Sequence, residues 1–106
     1  LPTIGELRTI ILGCSATATG GACGVTDDCL AATCHNATSC AGCTEYGGPN
    51  EGWYLAEGLT PLPWYVGMVH SASEVEGEAG HTWGVNFETG HVYSGGTGHA
   101  LVRCVR

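Results

Sequence analysis

Histidine and cysteine supply the most versatile chemistry in this chain, and their spacing limits what they can do. His81, His91 and His99 surround a stretch of alternating polar and apolar residues, and His70 lies upstream of it. A zinc site gathers three or four ligands at about 2 Å, usually with tight local spacing on at least one element. No H-x-x-x-H or H-x-H pair occurs among these four, so they are expected as surface histidines at strand ends, with no metal assigned. Cys40-Ala-Gly-Cys43 has the C-x-x-C form, but a zinc ribbon needs a second such pair, and Cys29 and Cys34 are five apart. No βαβ pattern surrounds the motif, which removes the context of a redox dithiol. Ser71 and Ser73 lie beside His70 without a nucleophile elbow, and no opposed carboxylates stand out. No enzyme is specified.

The cysteines fit a different chemistry. There are seven, Cys14, Cys23, Cys29, Cys34, Cys40, Cys43 and Cys104, with six gathered in one segment and Cys104 far away near the C-terminus. Such density favours an oxidising compartment and disulfides. From Cys14 to Gly52 small residues and turn formers dominate, and a segment this long needs staples inside a compact domain. Three disulfides among the six are expected; sequence alone does not choose the pairing, and the odd count leaves one thiol over.

The totals bound the partners. The chain has 106 residues, enough for one domain, with 43% hydrophobic residues and a formal charge of −7. It contains no lysine, only Arg8, Arg103 and Arg106. An acidic balance of this size opposes nucleic acid, sulfated polymers and anionic membrane surfaces. No apolar run approaches the ~20 residues needed to span a bilayer, and no signal peptide is visible. The chain opens on Leu1 without an initiator methionine and is therefore expected to be a mature or excised piece.

The elements that must position these residues are legible in part. Thr3 and Glu6 form a T-x-x-E capping box ahead of Ile4, Leu7, Ile11 and Cys14 at helical spacing, which predicts a helix over 4–12 with one buried face. Gly13 is a natural stop. "GWYLAEGL" and "WYVGMVHSAS" read as strands. In "HTWGVNFETGHVYSGG", Trp83, Val85 and Phe87 alternate with Thr82, Gly84, Asn86 and Glu88, and "ETGH" reads as a hairpin turn with Gly90 at positive φ. A last strand is expected over 100–105.

"LPT" before an acidic-capped helix, "SAS" ending a strand, "WGVNFETGHV" and the terminal "VRCVR" occur in that order. Together they resemble the C-terminal domain family of the collagen-like adhesin Lcl and the Fibrobacter-type major paralogous domains, over about residues 1–14 and 66–106. The cysteine-rich middle resembles an insertion found in some members. This resemblance implies a bacterial, secreted or surface-attached, C-type-lectin-like domain used for binding, and a region over about 81–99 in which some relatives vary. It also implies that Cys104 pairs with a helix cysteine upstream of "LPT", outside this chain. Calcium is the one ion the resemblance leaves open. However, "GPNEG" and "WGVN" do not match the E-P-N, Q-P-D and W-N-D signatures of calcium-dependent sugar binding, and Asp27–Asp28 is explained by an Asx turn.

The aromatics favour binding, although Trp53, Trp64 and Trp83 are expected mainly in the core. The glycine-rich "YSGGTGH" cannot bury much, so Tyr93, Ser94, Thr97 and His99 are the leading ligand residues, followed by His81, Asn86 and Glu88. The Asn36-Ala37-Thr38 sequon is incidental for a bacterial protein. The expectation is a single α+β domain, 1–106, of C-type-lectin-like form without its N-terminal strand and helix. One N-terminal amphipathic helix packs on a twisted antiparallel sheet, and a disulfide-stapled insertion spans 14–52. It would serve as an extracellular, non-catalytic module for a neutral glycan or a protein surface, with no cofactor, no nucleic acid and no membrane insertion. A homo-oligomeric structural subunit of a cell-surface assembly is the alternative.

Overall fold

The computed structural model describes residues 2–50, 52–55, 68–96 and 101–102. The chain is α+β: the described residues form one short α-helix, α1 (Ile4–Arg8), and four strands, β1 (Met68–Glu74), β2 (His81–Asn86), β3 (His91–Gly96) and β4 (Leu101–Val102). The capping box forms as the sequence predicts: Thr3 Oγ1 accepts from the Glu6 amide, and Glu6 accepts from the Thr3 amide. Asp27 reinforces it from the insertion, accepting from the Gly5 amide at 2.9 Å and from Thr3 Oγ1 at 3.1 Å. A carboxylate there also complements the positive end of the short helix.

The helix is shorter than its periodicity predicts. Thr9 ends it, and the Ile10 and Ile11 amides bond three residues back rather than four. Ile11 then bridges Leu55, and the Leu12 amide donates to the Tyr54 carbonyl. The β-branched run Thr9-Ile10-Ile11 is as content in extended backbone as in a helix, and pairing with 54–55 decides it. The buried face survives the change: Ile4, Leu7, Ile11 and Cys14 all lie in the core.

The strands run in the order β3-β2-β1-β4. β1, β2 and β3 are antiparallel, and the β2–β3 hairpin turns through Phe87–Gly90 with Gly90 at φ 76°. Trp83, Val85 and Phe87 are buried, which matches the alternation. β1 is irregular between His70 and Glu74, where Ser71 Oγ donates to the Trp83 carbonyl at 2.6 Å and Ser73 Oγ accepts from the Ile4 amide at 2.9 Å. The two serines thus tie strand to strand and strand to helix. β4 corrects the all-antiparallel expectation, because Leu101 and Val102 pair parallel to Val69 and His70. Residues 100 and 103–105 of the expected last strand lie outside the described residues, as do "GWYLAEGL" beyond Leu55 and residues 64–67 of "WYVGMVHSAS", Trp64 among them.

The insertion is stapled as expected, by Cys14–Cys43, Cys23–Cys40 and Cys29–Cys34. Cys40 and Cys43 bond to different partners, so the C-x-x-C is neither a dithiol nor a metal clamp. None of the six remains for Cys104, which lies outside the described residues. Arg8 organises the first half of the insertion. Its side chain is 3% exposed and donates to the carbonyls of Thr17, Ala18, Cys23 and Val25. Burial holds its pKa below the ordinary arginine value. The second half docks on the sheet edge: the Val92 amide donates to the Cys40 carbonyl at 2.9 Å, and the Cys43 amide donates to the Thr89 carbonyl at 2.6 Å.

Three disulfides fit an oxidising, extracellular setting. No helix among the described residues is long and apolar enough to cross a membrane.

Candidate ligand-binding cleft

The ring closed by Cys29–Cys34 carries a single 3₁₀ turn, Ala32–Cys34, and leads into His35. The Leu30 carbonyl ties it to the sheet and to the segment after β1, accepting from Trp83 Nε1 at 2.8 Å and from the Glu76 amide at 2.9 Å. With Trp83 anchored this way, the His35 imidazole stacks on it, with centroids 6.0 Å apart and planes inclined by 8°. His35 Nε2 lies 3.0 Å from the Val92 carbonyl. A carbonyl only accepts, so Nε2 carries the proton and Nδ1 is the remaining ring atom.

Beside this stack opens a cleft of about 300 Å³, lined by Ala32, His35, Trp83, His91, Tyr93 and Ser94. His91 stands edge-on to His35 at 6.0 Å, and Tyr93 lies 6.1 Å from His91. Tyr93 lies over Gly84, its cross-strand neighbour; a Cβ at Gly84 would come within 2.9 Å of the phenol oxygen. Only glycine leaves room for this placement. The volume reaches the lower end of ordinary ligand pockets, and the open lining combines four rings with polar atoms in similar measure.

Two polar atoms next to the cleft are buried without a hydrogen-bond partner among the described residues, Tyr93 Oη and His70 Nε2. Burial pushes the Tyr93 pKa up to about 12, so the phenol stays protonated at any physiological pH. His70, expected at the surface, is 5% exposed; its Nδ1 pairs with Thr82 Oγ1 at 2.8 Å and its ring tilts toward Tyr93 at 6.4 Å. His70, Gly84 and Tyr93 are register partners across β1, β2 and β3. The sheet therefore has a second, polar covered face, which simple in–out alternation does not reveal.

His91 and Glu88 give stability opposite pH dependences. Burial, and then the neighbouring His35, lower the His91 pKa from its ordinary 6.5. Between that lowered value and 6.5 the unfolded chain binds more protons, so stability is lost as pH falls through this window. Glu88 is raised from 4.5, first by burial and then by the Glu45 charge, against a hydrogen bond from Tyr46 that lowers it. Above 4.5 the folded chain binds more protons at this group, so its contribution grows as pH falls. Acidification from pH 7 to 6 should lower the urea midpoint. H91Q should remove that decline, and an E88Q variant should retain it.

The structure brings Tyr93 and Ser94 together in the cleft and distributes the other expected ligand residues elsewhere. His81 is exposed opposite Gly96 at the start of β2. Asn86 is at the other end of β2, where its Oδ1 accepts from the Glu88 amide at 2.9 Å. Glu88 is 8% exposed beneath Tyr46. Thr97 and His99 lie outside the described residues. His35, His91, Trp83 and Ala32 were not anticipated as lining. His35 lies in a segment whose disulfide pairing sequence does not determine, and Trp83 reads only as core.

Among the described residues no group of three or more His, Cys, Asp or Glu is arranged to hold a metal ion. Asp27 is engaged at the helix start, and the Asp28 amide donates to Thr26 Oγ1 in a local turn. No family model, no curated protein and no solved structure matches this chain.

Proposed function

We propose that this chain is an extracellular, non-catalytic binding module of C-type-lectin-like form, whose ligand is a neutral glycan or a protein surface seated in the cleft at β3. The observation that carries this reading is the meeting of Tyr93 and Ser94 with His35, His91 and Trp83 around one cavity. The half-buried rings of His35, His91 and Tyr93 offer surface to a flat, weakly polar group, with the buried Trp83 as the plate behind His35, and aromatic anchors dominate binding energy in small interfaces. The lectin-like frame is supported by α1 packed on β1 and β2, by the stapled insertion and by the C-terminal strand beside β1. The net charge of −7 disfavours sulfated ligands. Ser71 and Ser73 bond main-chain groups and His70 Nδ1 pairs with Thr82, which leaves Tyr93 Oη and His70 Nε2 as the unpaired buried polar atoms beside the cleft among the described residues.

The test is to probe the protein with arrays of neutral oligosaccharides and short peptides, then repeat with Y93A. The variant should bind the selected ligand about tenfold more weakly. Retention of full affinity by Y93A would exclude this cleft.

A further inference from the structure

β3 is an edge strand, and the insertion covers only part of it. At Val92 both outward main-chain groups are taken, the amide by the Cys40 carbonyl and the carbonyl by His35 Nε2. Main-chain groups alternate sides along a strand, so those of Ser94 point to the same outer edge as those of Val92, and those of Gly96 follow. Among the described residues the insertion makes no hydrogen bond to the Ser94 main chain, Ser94 is exposed, and no strand pairs with this side of β3. The cleft opens at this point, with Ser94 on its rim.

Proteins blunt free edges with charges, proline or bulges. β3, His91-Val92-Tyr93-Ser94-Gly95-Gly96, has no charged carboxylate or lysine, no proline, and regular pairing to β2 throughout. Two successive glycines leave that edge accessible to another backbone. The insertion already supplies one carbonyl and one ring N–H to this edge, one residue pair earlier, in the manner of a partial strand.

Resting on the cleft reading above, we infer that the ligand is an extended peptide segment of a protein partner, which adds to the bare edge of β3 at Ser94 and continues past the insertion's last contact. Its main chain exchanges hydrogen bonds with the Ser94 amide and carbonyl, and one of its side chains enters the cleft against His35, His91 and Tyr93. Main-chain pairing supplies affinity and the side-chain pocket supplies selectivity, the usual division of labour in strand addition. The cleft lining has no carboxylate, and the chain is acidic, so the segment is uncharged or cationic, with a flat or apolar residue at the pocket position.

The experiment uses short peptides selected from a random library on the intact, disulfide-bonded protein, with affinities read by fluorescence anisotropy. S94P removes the outward amide on a strand edge where proline is tolerated, and S94A removes only the hydroxyl. S94P should weaken binding about tenfold more than S94A does. Single N-methylation of the peptide amides should be harmful at alternate positions, a scan that needs no protein variant and stands even if S94P misfolds. Equal effects of S94P and S94A, or tolerance of N-methylation everywhere, would overturn strand addition. Oligosaccharide binding that is lost in Y93A, with no peptide selected, would overturn the peptide and keep the cleft. Peptide binding that depends on the Ser94 amide but is unaffected in Y93A would instead remove the cleft reading.

Discussion

R8M is expected to lower the stability of the folded domain by about 3–5 kcal/mol, read as a fall in the urea midpoint with an unchanged m-value. Methionine fills much of the same volume, so the loss reports hydrogen bonds rather than a cavity. The guanidinium donates to four main-chain carbonyls, those of Thr17, Ala18, Cys23 and Val25, and three of the four bonds are fully buried. A hydrogen bond from a charged donor is worth about 1.5–3 kcal/mol, and a buried carbonyl left unpaired adds a desolvation cost. Four such bonds do not add fully, because the segment can relax and water can reach the Ala18 carbonyl. R8K should recover a fraction only, since one ammonium cannot reproduce a planar fork. The damage should be local: amide exchange should accelerate at Ala18, Gly21 and Cys23, whose amides bond within the 14–21 segment, more than in β2.

Arg8 also shows how far the sequence could be read. The buried face of α1 was visible as Ile4, Leu7 and Ile11, and the capping box was visible as Thr3 and Glu6. Arg8 falls on that same face, four residues after Ile4, yet an arginine there reads as a solvated cation until the loop that surrounds it is known. That loop is held by disulfides whose pairing has no local signature. The β2–β3 hairpin was legible because period-two alternation and a turn glycine are local signals. The shortened helix was not, because the Ile11–Leu55 bridge that ends it is a long-range contact.

The cleft divides along the same line. Tyr93 and Ser94 were accessible to reasoning from composition, since a glycine-rich strand end buries little. His35 was not, because Cys29–Cys34 and the Leu30 carbonyl place it, and both are tertiary facts. The surface expectation for His70 failed for a related reason. A strand in this sheet is covered on both faces, and polar partners such as Thr82 make a buried imidazole tolerable on one of its two nitrogens.

W83F should separate the stability role of this residue from its role in the cleft. Trp83 is 1% exposed, in the centre of the core, and W83A would cost about 3–5 kcal/mol through lost packing alone. Phenylalanine keeps most of the apolar contact and removes the Nε1–H donor. The Leu30 carbonyl still accepts from the Glu76 amide, so the global cost should be smaller, about 1–2 kcal/mol. Binding should fall more than stability does. The indole both anchors the Cys29–Cys34 ring through Leu30 and forms the plate on which His35 stacks, and a phenyl ring does neither fully. With the indole bond and plate gone, the ring is held only by Glu76 and Val92, and Ala32 and His35 fix their side of the cavity less firmly. Affinity for a selected ligand should therefore drop about tenfold or more while W83F remains folded at room temperature with three intact disulfides. A variant that loses stability and affinity in the same proportion would make Trp83 a core residue only, and would leave the wall of the cleft to the Cys29–Cys34 disulfide and the Leu30–Glu76 and His35–Val92 hydrogen bonds.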